Sequence, residues 1–220
     1  MNRLQRAALV ALVIHLIAGL SMALILSRGL ETTPNLHTRL TFLVNYRVWW
    51  TAAWLTWTAA SIAILYFYIV FREVHAAPPL SVFLTVAAVA LDLCGQAIEI
   101  SLLPTSAARV LNENASPETF LLLHRKAEML SGFAANGLYS ISALLLVFPT
   151  RRAYPTSVSA FGSVVGFVGI LLSIAVLLDS TAGMFWTNVM LVPSILCWLG
   201  LVAIARKGAM TTKPFPLSLL

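Results

Sequence analysis

An all-α bundle of six transmembrane helices is the fold class this sequence predicts, and three observations predict it. Of its 220 residues, 60% are hydrophobic and only 10% are charged, with a mean hydropathy of +0.90. Six apolar runs have the length of a bilayer crossing. Charges and aromatic rings gather at the edges of those runs. A soluble domain of this size is nearer half apolar and a quarter charged. This chain therefore lacks the polar surface to cover a globule in water, and its surplus apolar surface must face lipid.

A hydrocarbon core of about 30 Å needs about 20 apolar residues in a helix. The runs at roughly 7–26, 49–71, 80–103, 127–149, 157–178 and 185–205 meet that requirement. Lipid offers no partners to backbone N–H and C=O groups, so each run must be helical. The first follows a basic MNRLQR start, but it is too long for a signal-peptide core and no small-x-small cleavage site follows it. It reads as a retained span. It carries His15 on one face with Ala8, Ala11, Ala18 and Gly19. The second is anchored at both interfaces, by Tyr46, Trp49, Trp50 and Trp54 at one end and by Tyr66, Phe67, Tyr68 and Phe71 at the other.

The third contains LDLCGQAIEI, in which Asp92, Gly95, Gln96 and Glu99 fall within one sector. On the fourth, His124, Glu128, Ser131, Ala135, Tyr139 and Ser142 share a face, with Arg125 at its margin. The fifth lines up Gly162, Gly166, Gly169 and Ser173. Rows of small residues let helix backbones approach closely, so the faces of spans one and five are packing seams. The sixth holds Pro193 well inside. Cys94 and Cys197 both lie in apolar runs, with no CxxC and no disulfide framework, and read as buried thiols acting as small hydrophobes.

The two long loops on one side carry helix starts of their own, Thr33-Pro34 before NLHTRLTFLVNYR and Ser116-Pro117 before ETFLLLHRKAEML. Helices begun there would run about 36 and about 33 residues, on the order of 50 Å. Their first turns must lie on or above the surface as an amphipathic cap.

Six spans place both termini on one side. If that side is cytoplasmic, the inner segments hold Arg3, Arg6, Arg72, Arg151, Arg152, Arg206, Lys207 and Lys213. The longer outer loops hold Arg28, Arg39, Arg47, Arg109, Arg125 and Lys126. Lys/Arg density is roughly twofold higher inside, which orients both termini to the cytoplasm. The net charge of +6 does not point to nucleic acid, because the basic residues sit singly or in pairs and form no stripe.

An ionisable side chain at mid-membrane costs about 2.5–3.5 kcal/mol, so it faces protein or water and has a partner. By residue count His15 and Asp92 sit near the midplane and are expected to pair. Glu99, His124, Arg125, Glu128 and Asp179 lie at the outer ends of their helices, as an outer polar cluster with Tyr139 on the same face below. Polar residues also hold spans in register, and the groups above can be structural. A transition metal could take His124, Glu128, Glu99 and His37, since imidazole and carboxylate suit zinc or iron and His124 and Glu128 are i, i+4. A proton-coupled carrier would use Asp92 and Glu99 as a relay. A b-type haem is disfavoured because only His15 is deep, and no GxSxG or Cys–His pattern supports hydrolysis.

The second half runs LLLHRKAEMLSGFAANGLYSISALLLVF, then RRAYPTSVSAFGSVVGFVGILLSIAVLLDS, then LVPSILCWLGLVAIARKG. This order resembles the bacterial six-span family designated domain of unknown function 4386. His124 opens span four, span five is Gly-rich and ends in Asp179-Ser180, and Val192-Pro193 and Lys207-Gly208 frame span six. The similarity covers roughly residues 117–208. Where the family tends to carry an acid after the proline, Cys197-Trp198-Leu199 stands here. The resemblance implies a bacterial inner-membrane protein, supplies no activity or cofactor, and draws attention to His124 and Asp179 over His15.

The sequence thus predicts a single membrane domain with no assigned catalytic residue. Its expected role is that of an accessory or ligand-binding protein with a polar, outer-facing cavity between spans three, four and five. The expected partners are the lipid bilayer, a small hydrophobic or amphipathic ligand, and other copies or a membrane complex.

Overall fold

A computed structural model describes residues 1–205. The expected cytoplasmic basic residues Arg206, Lys207 and Lys213, and the Lys207-Gly208 that closes span six, lie outside the described residues. Every regular element is helical and no strand occurs among the described residues. Six helices are long and apolar enough to cross a membrane: Arg3–Arg28, Arg47–His75, Leu80–Asn112, Glu118–Thr150, Thr156–Leu177 and Thr181–Ile204.

The chain opens with α1 (Arg3–Leu24), started by a reciprocal cap in which Asn2 and Gln5 exchange side-chain-to-backbone hydrogen bonds. A short 3₁₀ turn follows at Leu26–Arg28. Helix α2 (Leu36–Asn45) begins two residues later than Thr33-Pro34 predicts. The reason is local: Asn35 caps it by accepting from the Thr38 backbone N–H at 3.0 Å, while the Thr33 hydroxyl donates to the Ser27 carbonyl. The single long helix expected here is broken at Tyr46, and α3 (Arg47–His75) starts anew. Ser116-Pro117 does open a helix of the expected length. Helix α6 (Glu118–Glu128) continues through a wide π turn at Met129–Ala135 into α7 (Asn136–Thr150).

Span three is longer than its apolar run suggests. Helix α4 (Leu80–Ala97) passes through a second π turn at Ile98–Leu102 into α5 (Leu103–Asn112). Both π turns have causes. In the first, the Leu103 N–H reaches back to the Ile98 carbonyl, and the widened turn accommodates Pro104, whose ring would collide with the carbonyl four residues earlier. The second spans Ser131-Gly132, where small residues leave room for a wide turn beside Val176. Helices α8 (Thr156–Leu177) and α9 (Thr181–Ile204) complete the chain.

The spans form a closed ring in chain order: α1 on α3, α3 on α4, α4 on α7, α7 on α8, α8 on α9, and α9 back on α1. Gln5 donates to the Ala205 carbonyl at 2.8 Å, joining the two ends of the described chain at one pole of the bundle. We call that pole proximal and the other distal. Two apolar cores fill the ring. The proximal core surrounds Trp198, which is ringed by Phe67, Tyr68 and Phe71 in edge or tilted contacts. The distal core surrounds Trp50, Leu43, Leu103 and Phe120, with α2 lying on α5 as a cap.

Both small-residue seams form as expected: Ala8, Ala11 and Ala18 are buried on α1, as are Gly162, Gly166 and Gly169 on α8. A Cβ at Gly162 would stand 2.9 Å from the indole of the fully buried Trp198. Gly162→Ala is therefore expected to destabilise the protein by about 1–3 kcal/mol through overpacking, read as a lower unfolding midpoint in detergent. An unchanged midpoint would show that the seam is loose. Cys94 and Cys197 are exposed on the outside of the bundle, not buried as expected. Their positions on α4 and α9 turn to the surface that would face lipid.

Candidate functional site

The distal polar cluster is assembled by four segments. The i, i+4 spacing on α6 sets His124 and Glu128 on one face. The π turn of span three carries Glu99, the connection between α1 and α2 carries Glu31, and α2 carries Arg39. The His124 imidazole lies at the centre and is fully buried. Its Nδ1 is 3.2 Å from Glu99 Oε1. Its Nε2 faces the other way, 3.8 Å from Glu128 Oε1 and 4.0 Å from Glu31 Oε1. Glu99 is thus the partner of Nδ1, and Nε2 is turned toward the other two carboxylates. Neither His124 Nε2 nor Glu99 Oε2 has a hydrogen-bond partner, and both are buried.

The surroundings hold this imidazole still. The Phe120 ring runs nearly parallel to it, at 8° and 6.2 Å between centroids. Arg39 lies over the other part of that assembly, with Cζ 5.8 Å from the Phe120 centroid and Nε donating to the Gly29 carbonyl at 3.2 Å. Burial pushes the Arg39 pKa down from its ordinary value, and the charges of Glu31, Glu128 and Glu99 oppose that shift. The guanidinium is thus the local counter-charge to three carboxylates. Trp50 Nε1 donates to the Glu99 backbone carbonyl at 2.8 Å, which fixes the π turn that presents the acid.

Arg125 ties the cluster to α8. Its NH1 is 3.3 Å from both Glu128 Oε2 and Asp179 Oδ1, and its NH2 donates to the carbonyls of Val176 and Leu177 at 2.8 and 3.3 Å. Those carbonyls belong to the last turn of α8, where a cation is favourable. The turn is closed by Ser180 N–H bonding the Ala175 carbonyl and Asp179 N–H bonding the Val176 carbonyl. This pattern requires a left-handed residue at Asp179, whose φ is 54°. The strained position aims the Asp179 carboxylate at Arg125.

Exposure falls steadily inward. Side-chain exposure is 66% at Asp179, 30% at Arg125, 27% at Glu31, 15% at Glu128, 4% at Glu99 and 1% at His124. The cluster therefore runs from an exposed rim at Asp179 to a buried imidazole and Glu99, a polar gradient we call the distal well.

The expected deep pair does not form. His15 Nδ1 bonds the Ala11 carbonyl of its own helix at 2.8 Å. Asp92 instead accepts from the Ser61 hydroxyl, with Tyr139 Oη at 3.5 Å, and Ser131 donates to its backbone carbonyl at 3.3 Å. Gln96 accepts from Thr58 and extends this belt between the two cores. Helix α1 packs on α3 and α9, and α3 separates it from α4, which keeps His15 away from Asp92. Tyr139 accordingly belongs to the Asp92 belt and not to the distal cluster.

His37, a candidate metal ligand, is exposed on α2. The third carboxylate or imidazole beside His124 and Glu128 is Glu31, and these three offer ligand atoms within 4.8 Å of one another. Sequence reasoning missed Glu31, which lies in an aperiodic connection. It also missed Arg39, although Leu36, Leu40 and Leu43 place Arg39 on the apolar side of its helix.

Comparison with protein-family models, with curated proteins and with solved structures finds no match, so the chemistry of this site rests on its geometry.

Proposed function

We propose that this protein is an integral inner-membrane binding protein that takes a small cationic ligand at the distal well, with both termini in the cytoplasm and the well facing the opposite compartment. Charge carries this reading. Glu31, Glu99, Glu128 and Asp179 surround Arg39 and Arg125. Four carboxylates against two guanidinium groups leave an excess of two negative charges when the imidazole is neutral. That excess runs from the exposed Asp179 down to the buried Glu99, and a cation entering from the exposed rim offsets it. The basic residues on the proximal side support the orientation.

Two measurements test this. Small cations, including spermidine, ethylammonium and divalent metals, should raise the unfolding midpoint of the detergent-purified protein, and Glu128→Gln should remove the effect. A panel in which no cation stabilises the wild type would reject ligand binding. For orientation, a cysteine placed at Glu113, exposed between α5 and α6, should react with a membrane-impermeant maleimide in intact cells after Cys94 and Cys197 are replaced. Labelling only after permeabilisation would reverse the topology.

A further inference from the structure

We infer that the ligand of the distal well is a divalent first-row transition-metal ion bound by His124 Nε2, Glu128 and Glu31, with Glu99 as the positioning residue behind the imidazole. The inference deepens the cation-binding reading and rests on it. An acidic well alone would accept many cations. The buried Nε2 narrows the choice, because it has no hydrogen-bond partner and looks toward both carboxylates. One imidazole nitrogen and two carboxylate oxygens grouped this closely offer a metal ion three ligand atoms, with the ion taking the place of a proton on Nε2.

The distances suit an ion with small adjustment. Metal–nitrogen and metal–oxygen bonds of about 2.0–2.2 Å place neighbouring ligand atoms roughly 3.0–3.5 Å apart. The separations of 3.8 and 4.0 Å from Nε2 need only a modest inward closure of carboxylates on the well's more exposed side. One imidazole and two carboxylates suit zinc, manganese or iron(II), whereas magnesium and calcium favour all-oxygen sets. Glu99 holds the proton on Nδ1 and leaves Nε2 free to ligate, the usual relation of a carboxylate to a metal-bound histidine. Arg125 and Arg39 oppose entry of the charge, but Arg125 holds Glu128 through Oε2 and leaves Oε1 facing the imidazole.

The test uses the full-length protein in detergent, stripped with chelator. Titration with Zn²⁺ followed calorimetrically, and with Co²⁺ followed by its visible absorption, should give one ion per chain. His124→Asn, which keeps a donor toward Glu99 but lacks Nε2, should weaken Zn²⁺ binding at least 100-fold while lowering the chelator-treated unfolding midpoint far less than His124→Ala does. Glu99→Gln should weaken it about 10–100-fold while the Co²⁺ spectrum keeps its ligand-field bands. Affinity should fall as pH falls, because a proton and the ion compete for Nε2. Unchanged Zn²⁺ affinity in His124→Asn, or an equal effect of Mg²⁺ on the wild type, would overturn the metal assignment. If spermidine or ethylammonium stabilises the protein while Zn²⁺ does not, the cation-binding reading stands and the metal inference fails. If nothing binds, both fail.

Discussion

Trp50→Ala is expected to cost about 3–5 kcal/mol of stability, the range for emptying a large buried aromatic site. Trp50 is fully buried at the middle of the distal core. It meets Phe42 and Trp54 edge-on, at 6.5 and 5.8 Å between centroids. Gly29 is pressed so close that a Cβ there would overlap the indole at 2.5 Å, so the connection from α1 is moulded onto this ring. Alanine would leave a cavity beneath that connection and would orphan the Glu99 carbonyl. Trp50→Phe separates the two effects. It keeps most of the volume and leaves the Glu99 carbonyl unpaired, a cost of about 1–3 kcal/mol. Denaturant titration in detergent micelles measures both. A loss under about 1 kcal/mol in Trp50→Ala would mean that the distal cap folds independently of this ring.

His124→Ala should also destabilise the ligand-free protein. Removing the imidazole leaves the Glu99 carboxylate buried and without its donor, and orphaning a buried group costs about 1–3 kcal/mol, more when it is charged. His124→Asn should recover most of that loss by restoring a donor. So should the double variant His124→Ala/Glu99→Gln, which removes the charge that has lost its partner. The sign of the coupling is the decisive quantity. If the double variant is less stable than His124→Ala alone, then Glu99 is held by something other than the imidazole, and its role as positioning residue falls. Chelator in every sample keeps this measurement independent of metal.

How much of this was legible in the sequence depended on the kind of information each feature needs. Depth along a helix was legible. Residue counting put Glu99, His124, Glu128, Arg125 and Asp179 at one pole, and the structure brings all five together. Spacing within one helix was legible too, as with the His124–Glu128 pair and the Ala and Gly seams. Azimuth around the ring was not. His15 and Asp92 share a depth, but partnering them required knowing that α3 stands between α1 and α4, which no periodicity encodes. The expectation that His37 joins the cluster failed for a related reason. The helix starts after its Asn35 cap, and its packing on α5 buries the side holding Arg39 and leaves His37 exposed. Glu31 joins by loop closure alone, and such long-range closure leaves no local pattern.

The two overlong spans have a consequence for how the protein would sense its surroundings. Helices of 33 residues extend about 50 Å, against a hydrocarbon layer of about 30 Å. Counting from the proximal ends at Leu80 and Thr150, Glu99 comes level with the far edge of that layer, and Glu128 and His124 rise beyond it. A charge that crosses the whole layer does work of about 2.3 kcal/mol per 100 mV. One that halts at this height traverses almost none of the voltage drop. If the proposed ion site and orientation hold, its occupancy would be nearly independent of the membrane potential.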